Sequence, residues 1–505
     1  MRNWFVAAFV LALCPTAAIA QTQASPPQTL EQLIPEIDAV FAQYQRESHV
    51  PGLIYGIVQN GDLVHTTAMG ELDTRSHSPV GSDSLFRIAS MSKAFTALAI
   101  LRLRDEGRLS LDATAETYVP EMRNWRYPTT DSPRIRVRDL LSHVGGFVTD
   151  DPWGDRQQVL SEDAFTRMLE DGVPFTRAPQ TQFEYSNFGY ALLGRIVSNV
   201  SGQPYNEYIE QEIMRPLGMA SSGYDVFASP QERRALGYRW ENERWTREPD
   251  MRHGAFGAMG GVQTSADDYA RWVAFLLSAW PARDDAEAGL VRRSTVRELA
   301  QGLNFISNGS RPGLEGEEPC RFAGAYAMGF RVARDCVLGT TMAHGGGYPG
   351  YGSYLLLLPE YGVGIFAFAN RTYAGPSPPV TQAALLMQRA GLLRPRELPG
   401  NADLARTYAA ARAMFAASSV EPGRGQLAMN FLMDRSAPNW RREFQRIKSD
   451  AGACNTDDEI VATGALAGQF LWTCEHADIQ GALLLAPTNP PTIQALRLNV
   501  VPHPN

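Results

Sequence analysis

Lysine is nearly missing from this chain. Of the 46 basic residues among 505, only Lys93 and Lys448 are lysine and the rest are arginine. A guanidinium keeps its proton in any protein setting, whereas an amine can lose one when burial lowers its pKa. Lys93 therefore marks a place where a proton has to come and go, the bland alternative being a composition bias that left two lysines by accident. Cysteine is also scarce, at 5 residues, and no Cys-x-x-Cys or paired histidine accompanies it, so no metal site is implied. The formal net charge of -8 arises from interspersed signs with no basic stripe, which excludes nucleic acid as a partner and an electrostatic membrane clamp. The partner left is a small-molecule or short-peptide substrate. No Gly-x-Ser-x-Gly elbow occurs, so the lipase-like run His344-Gly345-Gly346-Gly347 cannot belong to an α/β-hydrolase.

What is present begins with a secretory pattern over residues 1–20: Arg2, an apolar run from Trp4 to Leu13, then Ala18-Ile19-Ala20 before Gln21. Pro15 breaks a run already shorter than the roughly 20 residues a membrane span needs. Lipidation at Cys14 is disfavoured by Leu13 before it and Pro15 after it. The mature chain is expected to start at Gln21, secreted into the periplasm, with no transmembrane segment. That leaves Cys320, Cys336, Cys454 and Cys474, an even set in an oxidising compartment. Three pairings are possible, and proximity favours Cys320 with Cys336 and Cys454 with Cys474.

After a polar linker over 21–29, an amphipathic helix is expected from Leu30 to Glu47, closed by Pro51-Gly52. Leu53 to Gln59 and Asp62 to Met69 read as strands joined by Asn60-Gly61, a strong hairpin signal. A mostly helical stretch runs to about residue 320. Strands are expected again at Tyr326 to Ala333, Gly352 to Leu358 and Val363 to Ala369, followed by a helix near Val380 to Ala390. Strands at both ends with helices between them imply one antiparallel sheet built from distant parts of the chain, an α+β domain over 30–391. The Pro-rich segment "LLRPRELPGN" marks a boundary at 392–402, and two helices followed by short strands suggest a small α+β unit of unknown role over 403–505.

The chemistry concentrates in "FRIASMSKAFTALAILRLRDEG". Residues 94–106 form an apolar helix ended by Gly107, and Ser90 stands at its start three residues before Lys93, a spacing that puts hydroxyl and amine on one face. Helix-terminal N–H groups favour a developing alkoxide and disfavour a protonated lysine. The alternative is that Ser90 merely caps the helix and Lys93 is a solvated first-turn residue. His143 in "LLSHVGGF" suits a packed turn better than a catalytic role, since serine–lysine–tyrosine chemistry needs no histidine.

Ser-x-x-Lys at Ser90, Tyr185-Ser186-Asn187 in "FEYSNFGYALLGRI" and His344-Gly345-Gly346-Gly347 in "TTMAHGGGYPGYGS", in this order, resemble the class C β-lactamase and serine-type D-Ala-D-Ala carboxypeptidase family. The likeness covers roughly 30–391 and implies the β-lactamase/transpeptidase-like fold with a helical insertion. It implies Ser90 as nucleophile, Lys93 as its buried neutral partner and Tyr185 as general base, the last requiring neighbouring cations, with Lys93 and His344 at hand. Asn187 would bind the substrate's amide or ester carbonyl, and the N–H groups of Ser90 and Gly347 would hold the oxyanion, with the glycines, Gly346 among them, allowing close approach. No cofactor is implied. His344 departs from the lysine usual in true class C β-lactamases, which favours the esterase, D-aminopeptidase or amidase-like branches over β-lactam hydrolysis. A true class C β-lactamase, or an idle cell-wall peptide-binding or scaffold protein on the same fold, are the other options. Loops 147–156 and 225–256 are expected to set the substrate.

Overall fold

The computed structural model describes residues 28–287 and 289–503; the expected signal at 1–20 and most of the linker lie outside the described residues. Helix α1 (Leu30–Glu47) opens the fold, and its Thr29 and Gln32 side chains cap each other's backbone N–H groups. Strands β1 (Gly52–Gln59) and β2 (Asp62–Asp73) form the expected hairpin. They join a short β3 (Ser78–Pro79) and six later strands: β4 (Asn304–Arg311), β5 (Cys320–Tyr326), β6 (Arg331–Asp335), β7 (Gly339–Tyr348), β8 (Tyr351–Leu358) and β9 (Val363–Ala369). The resulting sheet of nine strands runs β3-β2-β1-β9-β8-β7-β6-β5-β4, and its pairings are antiparallel. The two ends of the 30–391 region meet at β1 and β9, where Leu53 opposes Ala369 and Gln59 opposes Val363.

One expectation needs correction here, and one motif gains its place. Tyr326 to Ala333 is not one strand, because Gly329 takes a left-handed φ of 78° and folds the segment into the turn between β5 and β6. The glycine-rich stretch around 345–347, read only as a motif, is the end of the long strand β7.

The central strands β1, β8 and β9 are buried on both faces. Leu53, Tyr55 and Ile57 of β1 join the core shared with α1 and α5 (Ser377–Arg389), while Ile54 and Val58 join the larger core of the helical region. Alternate side chains of one strand thus tie two helical layers together. The helical layer contains α2 (Lys93–Asp105), α3 (Asn187–Ser201) and α4 (Ala266–Leu277). No helix among the described residues is long and apolar enough to cross a membrane.

Beyond residue 400, α6 (Ala402–Ala416) and α7 (Ala437–Ala451) pack on a sheet of Cys454–Asn455, Val461–Gly464, Ala467–Cys474, Ala477–Ala486 and Thr492–Pro502. Its strands are longer than expected, up to 11 residues. Their hydrophobic cluster, built around Phe415, Phe444, Trp472 and Ile479, is distinct from the two cores of the catalytic sheet. Arg396 fastens the connecting segment to the carbonyls of Leu277 and Trp280, and Leu398 then bridges to Ala462. Disulfides join Cys320 to Cys336 and Cys454 to Cys474.

Candidate active site

Ser90 lies in a tight turn over Ala89–Ser92, and α2 begins at Lys93. The turn is held in an unusual shape: Ala89 has a left-handed φ of 48°, and Ile88 accepts the Ser353 hydroxyl at 2.7 Å. Ser92, not Ser90, stands at the cap position, and its hydroxyl accepts the N–H of Val262. The Ser90 hydroxyl is free of capping duty, and Lys93 is fully buried, so neither half of the capping alternative describes this turn.

The Lys93 nitrogen lies 3.0 Å from Ser90 Oγ, 2.7 Å from Asn187 Oδ1 and 2.9 Å from the Met259 carbonyl. Asn187 is oriented by its other end, whose Nδ2 donates to Asp151 and reaches Asp155 Oδ1 at 3.4 Å. Its Oδ1 therefore faces Lys93 as an acceptor only. A neutral amine has two N–H bonds and one lone pair. In that form Asn187 and Met259 can take the two N–H bonds and leave the lone pair for the Ser90 hydroxyl, whereas the protonated amine donates to all three. Desolvation lowers the Lys93 pKa to about 8, against the opposing pull of Asp151, Asp155 and Asp150.

Tyr185 immediately precedes the α3 cap residue Ser186, and its ring lies 4.9 Å from the Lys93 nitrogen. Its pKa is pushed well above the ordinary value by desolvation, then by Tyr326 and Asp151, with the Ser90 hydroxyl and Arg331 pulling the other way. The two cations expected to depress it do not both exist. Desolvation, followed by Lys93 and Arg331, lowers His344 to about 3, so its ring is neutral.

Both His344 nitrogens are engaged, Nδ1 with the Gly345 carbonyl at 2.7 Å and Nε2 with the Tyr326 hydroxyl at 3.0 Å. The imidazole, expected at the substrate, is instead a buried support for Tyr326. The charge on this side comes from Arg331, an exposed β6 residue with its guanidinium 6.0 Å from the Tyr185 ring centre. His143 sits behind Tyr185 at 4.3 Å between ring centres and accepts the Ser186 N–H, which fixes the approach to α3.

Gly346 and Gly347 lie on the part of β7 that runs past the end of β6. A β-carbon on Gly346 would collide with the Ile88 carbonyl and crowd Ala89, so this stretch runs alongside the Ser90 turn. Asn187, expected to meet the substrate, is fully buried, and its amide is shared between Lys93 and the aspartates.

Sequence reasoning flagged loop 147–156 but not its three carboxylates. Asp150 accepts the N–H groups of Asn187 at 2.6 Å and Phe188 at 2.8 Å, fixing the α3 start. Asp155 is buried, with its pKa raised to about 7 by desolvation, and it accepts the Tyr373 hydroxyl at 2.7 Å. The run "TDDPWGD" was the one available signal, three acidic residues within six positions of one loop.

A buried Ser-x-x-Lys pair between a nine-stranded antiparallel sheet and a helical layer defines a serine hydrolase fold of the β-lactamase/transpeptidase type. The chain belongs to the beta-lactamase family, which it matches over residues 37–417. Protein flp of Staphylococcus aureus strain N315 is 28% identical over 349 residues, covering 66% of this chain and 62% of that protein. The chain thus spans less than two thirds of that relative's length. Among solved structures, an octameric penicillin-binding protein homologue from Pyrococcus abyssi superposes with a TM-score of 0.59 at 20% identity, covering 92% of this chain and 99% of that one. A class C beta-lactamase gives 0.57 at 22%, covering 74% and 98%. The archaeal match is long enough to take in much of the C-terminal unit as well as the catalytic sheet.

Proposed function

We propose that this protein is a secreted serine hydrolase that cleaves an ester or amide through an acyl-enzyme on Ser90. The observation that carries this is the placement of Lys93, whose nitrogen lies 3.0 Å from Ser90 Oγ and holds two further acceptors, so that once neutral it can give its two N–H bonds to Asn187 and Met259 and turn its lone pair to Ser90. Acylation then runs as follows. The Ser90 oxygen attacks the substrate carbonyl while its proton passes to the Lys93 lone pair. The oxyanion rests on the N–H groups of Ser90 and Gly347. The proton moves on, through Tyr185, to the leaving oxygen or nitrogen, and water repeats the sequence in reverse on the ester. Tyr185 serves as a relay between Lys93 and the leaving group, because its raised pKa suits a phenol that hands on a proton more than a standing phenolate.

Incubation with a fluorophosphonate probe tests the reading. Intact mass is expected to show one adduct in the wild type and none in Ser90→Ala, with peptide mapping locating it at Ser90. Labelling that persists on another serine would overturn the assignment.

A further inference from the structure

Tyr373 follows β9 with a left-handed φ of 54°, a shape a bulky residue holds only when its surroundings impose it. Three contacts impose it. Its N–H donates to the Tyr351 carbonyl at 3.1 Å, its ring covers Gly347, and its hydroxyl donates to Asp155 Oδ2 at 2.7 Å. A β-carbon on Gly347 would run into the ring, so glycine there is what lets Tyr373 lie down on the strand. Asp155 is 2% exposed, with its second oxygen 3.4 Å from Asn187 Nδ2. Gly347 belongs to the strand wall beside Ser90, and Asn187 to the helical wall that holds Lys93. Tyr373 and Asp155 therefore join the two walls at the Gly347 end of the space beside Ser90.

The chemistry says which end this is. The leaving group must collect a proton from Tyr185, and Tyr185 stands with His344 and Arg331, at 6.2 Å between ring centres and 6.0 Å to the guanidinium. Arg331 pairs with Ala343 on β7 and Gly347 lies four residues further along that strand, so a leaving group on the Arg331 side leaves the side of Gly347 and the Tyr373–Asp155 bridge to the acyl group. We infer that Tyr373, held in place by Asp155, is an end wall that limits the acyl part of the substrate to short groups. This rests on Ser90 as the acylated residue. Tyr373 itself is a specificity-determining residue that meets the acyl chain, and Asp155 is a positioning residue that acts through it. Tyr373 is 42% exposed, so one face of its ring is open to a ligand while the other is packed.

The test compares p-nitrophenyl acetate with p-nitrophenyl octanoate, which share a leaving group and differ only in the acyl chain. The wild type is expected to prefer acetate in kcat/KM. Tyr373→Ala should shrink that preference by about tenfold or more, chiefly by improving octanoate, the scale of a few methylenes gaining a pocket. Tyr373→Phe keeps the ring but cuts the bridge to Asp155, so it should give an intermediate ratio with KM for octanoate moving more than kcat. Should Tyr373→Ala fail to fold, Tyr373→Leu and Tyr373→Phe carry the comparison. An unchanged ratio in folded variants whose Ser90 still reacts with a fluorophosphonate would overturn the wall and leave the hydrolase reading standing. A wild type that prefers octanoate would overturn it as well, and a wild type unreactive at Ser90 would remove both.

Discussion

The nitrogen of Lys93 lies 2.7 Å from Oδ1 of Asn187, 94 residues further along the chain. That contact fixes which way the amine's lone pair points, and it links the N-terminus of α2 to the N-terminus of α3. Asn187 therefore acts here as a clamp on the base. Its amide group is turned toward Asp151 and Asp155, which keeps the carbonyl end committed to Lys93.

The first prediction is a pH profile. Lys93, lowered to about 8, is protonated below that pH and neutral above it, and only the neutral form can take the Ser90 proton. Acylation by a neutral ester, followed at pre-steady state, should rise about tenfold per pH unit below 8 and flatten above it. If a Tyr185 phenolate were the base, its raised pKa would put the rise above pH 10. Lys93→Arg keeps a charge but cannot release a proton, and should lose at least about 100-fold in acylation.

A second prediction uses the aspartate that faces this amine. Asp151 is the largest of the groups that hold the Lys93 pKa up against desolvation. Asp151→Asn removes that support, so the charged amine becomes less favourable and the acidic limb of the profile should move below pH 8. A limb that stays in place would mean Asp151 is screened by solvent and contributes nothing to the base.

The third prediction concerns the disulfides. Non-reducing peptide mapping of protein secreted through an oxidising compartment should give Cys320 with Cys336, Cys454 with Cys474 and no free thiol among them. Cys454 and Cys474 sit directly opposite each other on paired strands, next to the cluster around Trp472. Replacing both with serine should destabilise the C-terminal unit by about 2–4 kcal/mol in urea titrations while fluorophosphonate labelling of Ser90 persists. Loss of labelling alongside would show that the two cores unfold together.

How much of this could be read in advance depended on distance along the chain. Ser90 and Lys93 are three residues apart in one turn, so local geometry brings them together whatever the rest of the fold does. The β1–β2 hairpin and α1 were equally local, the first marked by Asn60-Gly61 and the second by an amphipathic pattern stopped at Pro51-Gly52. Strand β7 escaped because three successive glycines carry no strand propensity; its order comes from neighbours on both sides. Gly329 hid a turn because Tyr326 to Ala333 is otherwise apolar apart from Arg331. Asp155 and Tyr373 are 218 residues apart, and Arg331 is an ordinary exposed arginine in the sequence. Their places in the site follow from loop paths and sheet register, which no local pattern records.

The last prediction replaces His344 with Arg331 as the source of charge for the leaving-group side. A neutral imidazole with both nitrogens bonded inside the protein offers a substrate carboxylate nothing, and His344→Lys would bury a cation between Lys93 and Arg331 while stripping Tyr326 of its acceptor. That substitution should lower stability by about 1–3 kcal/mol, read as a fall in the urea midpoint. Arg331 is exposed and close to Tyr185, so it can meet a carboxylate without moving the core. Because the contact is open to solvent, its contribution should be about 1 kcal/mol, or about fivefold in rate, and it should weaken with salt. The measurement is kcat/KM for a chromogenic cephalosporin, which carries a carboxylate, against p-nitrophenyl acetate, which does not. Arg331→Met should reduce the first about fivefold and leave the second nearly unchanged, and 0.5 M salt should erase most of the difference. Equal losses on both substrates would instead assign Arg331 to the electrostatics of Tyr185, where its pull on the phenol is already evident.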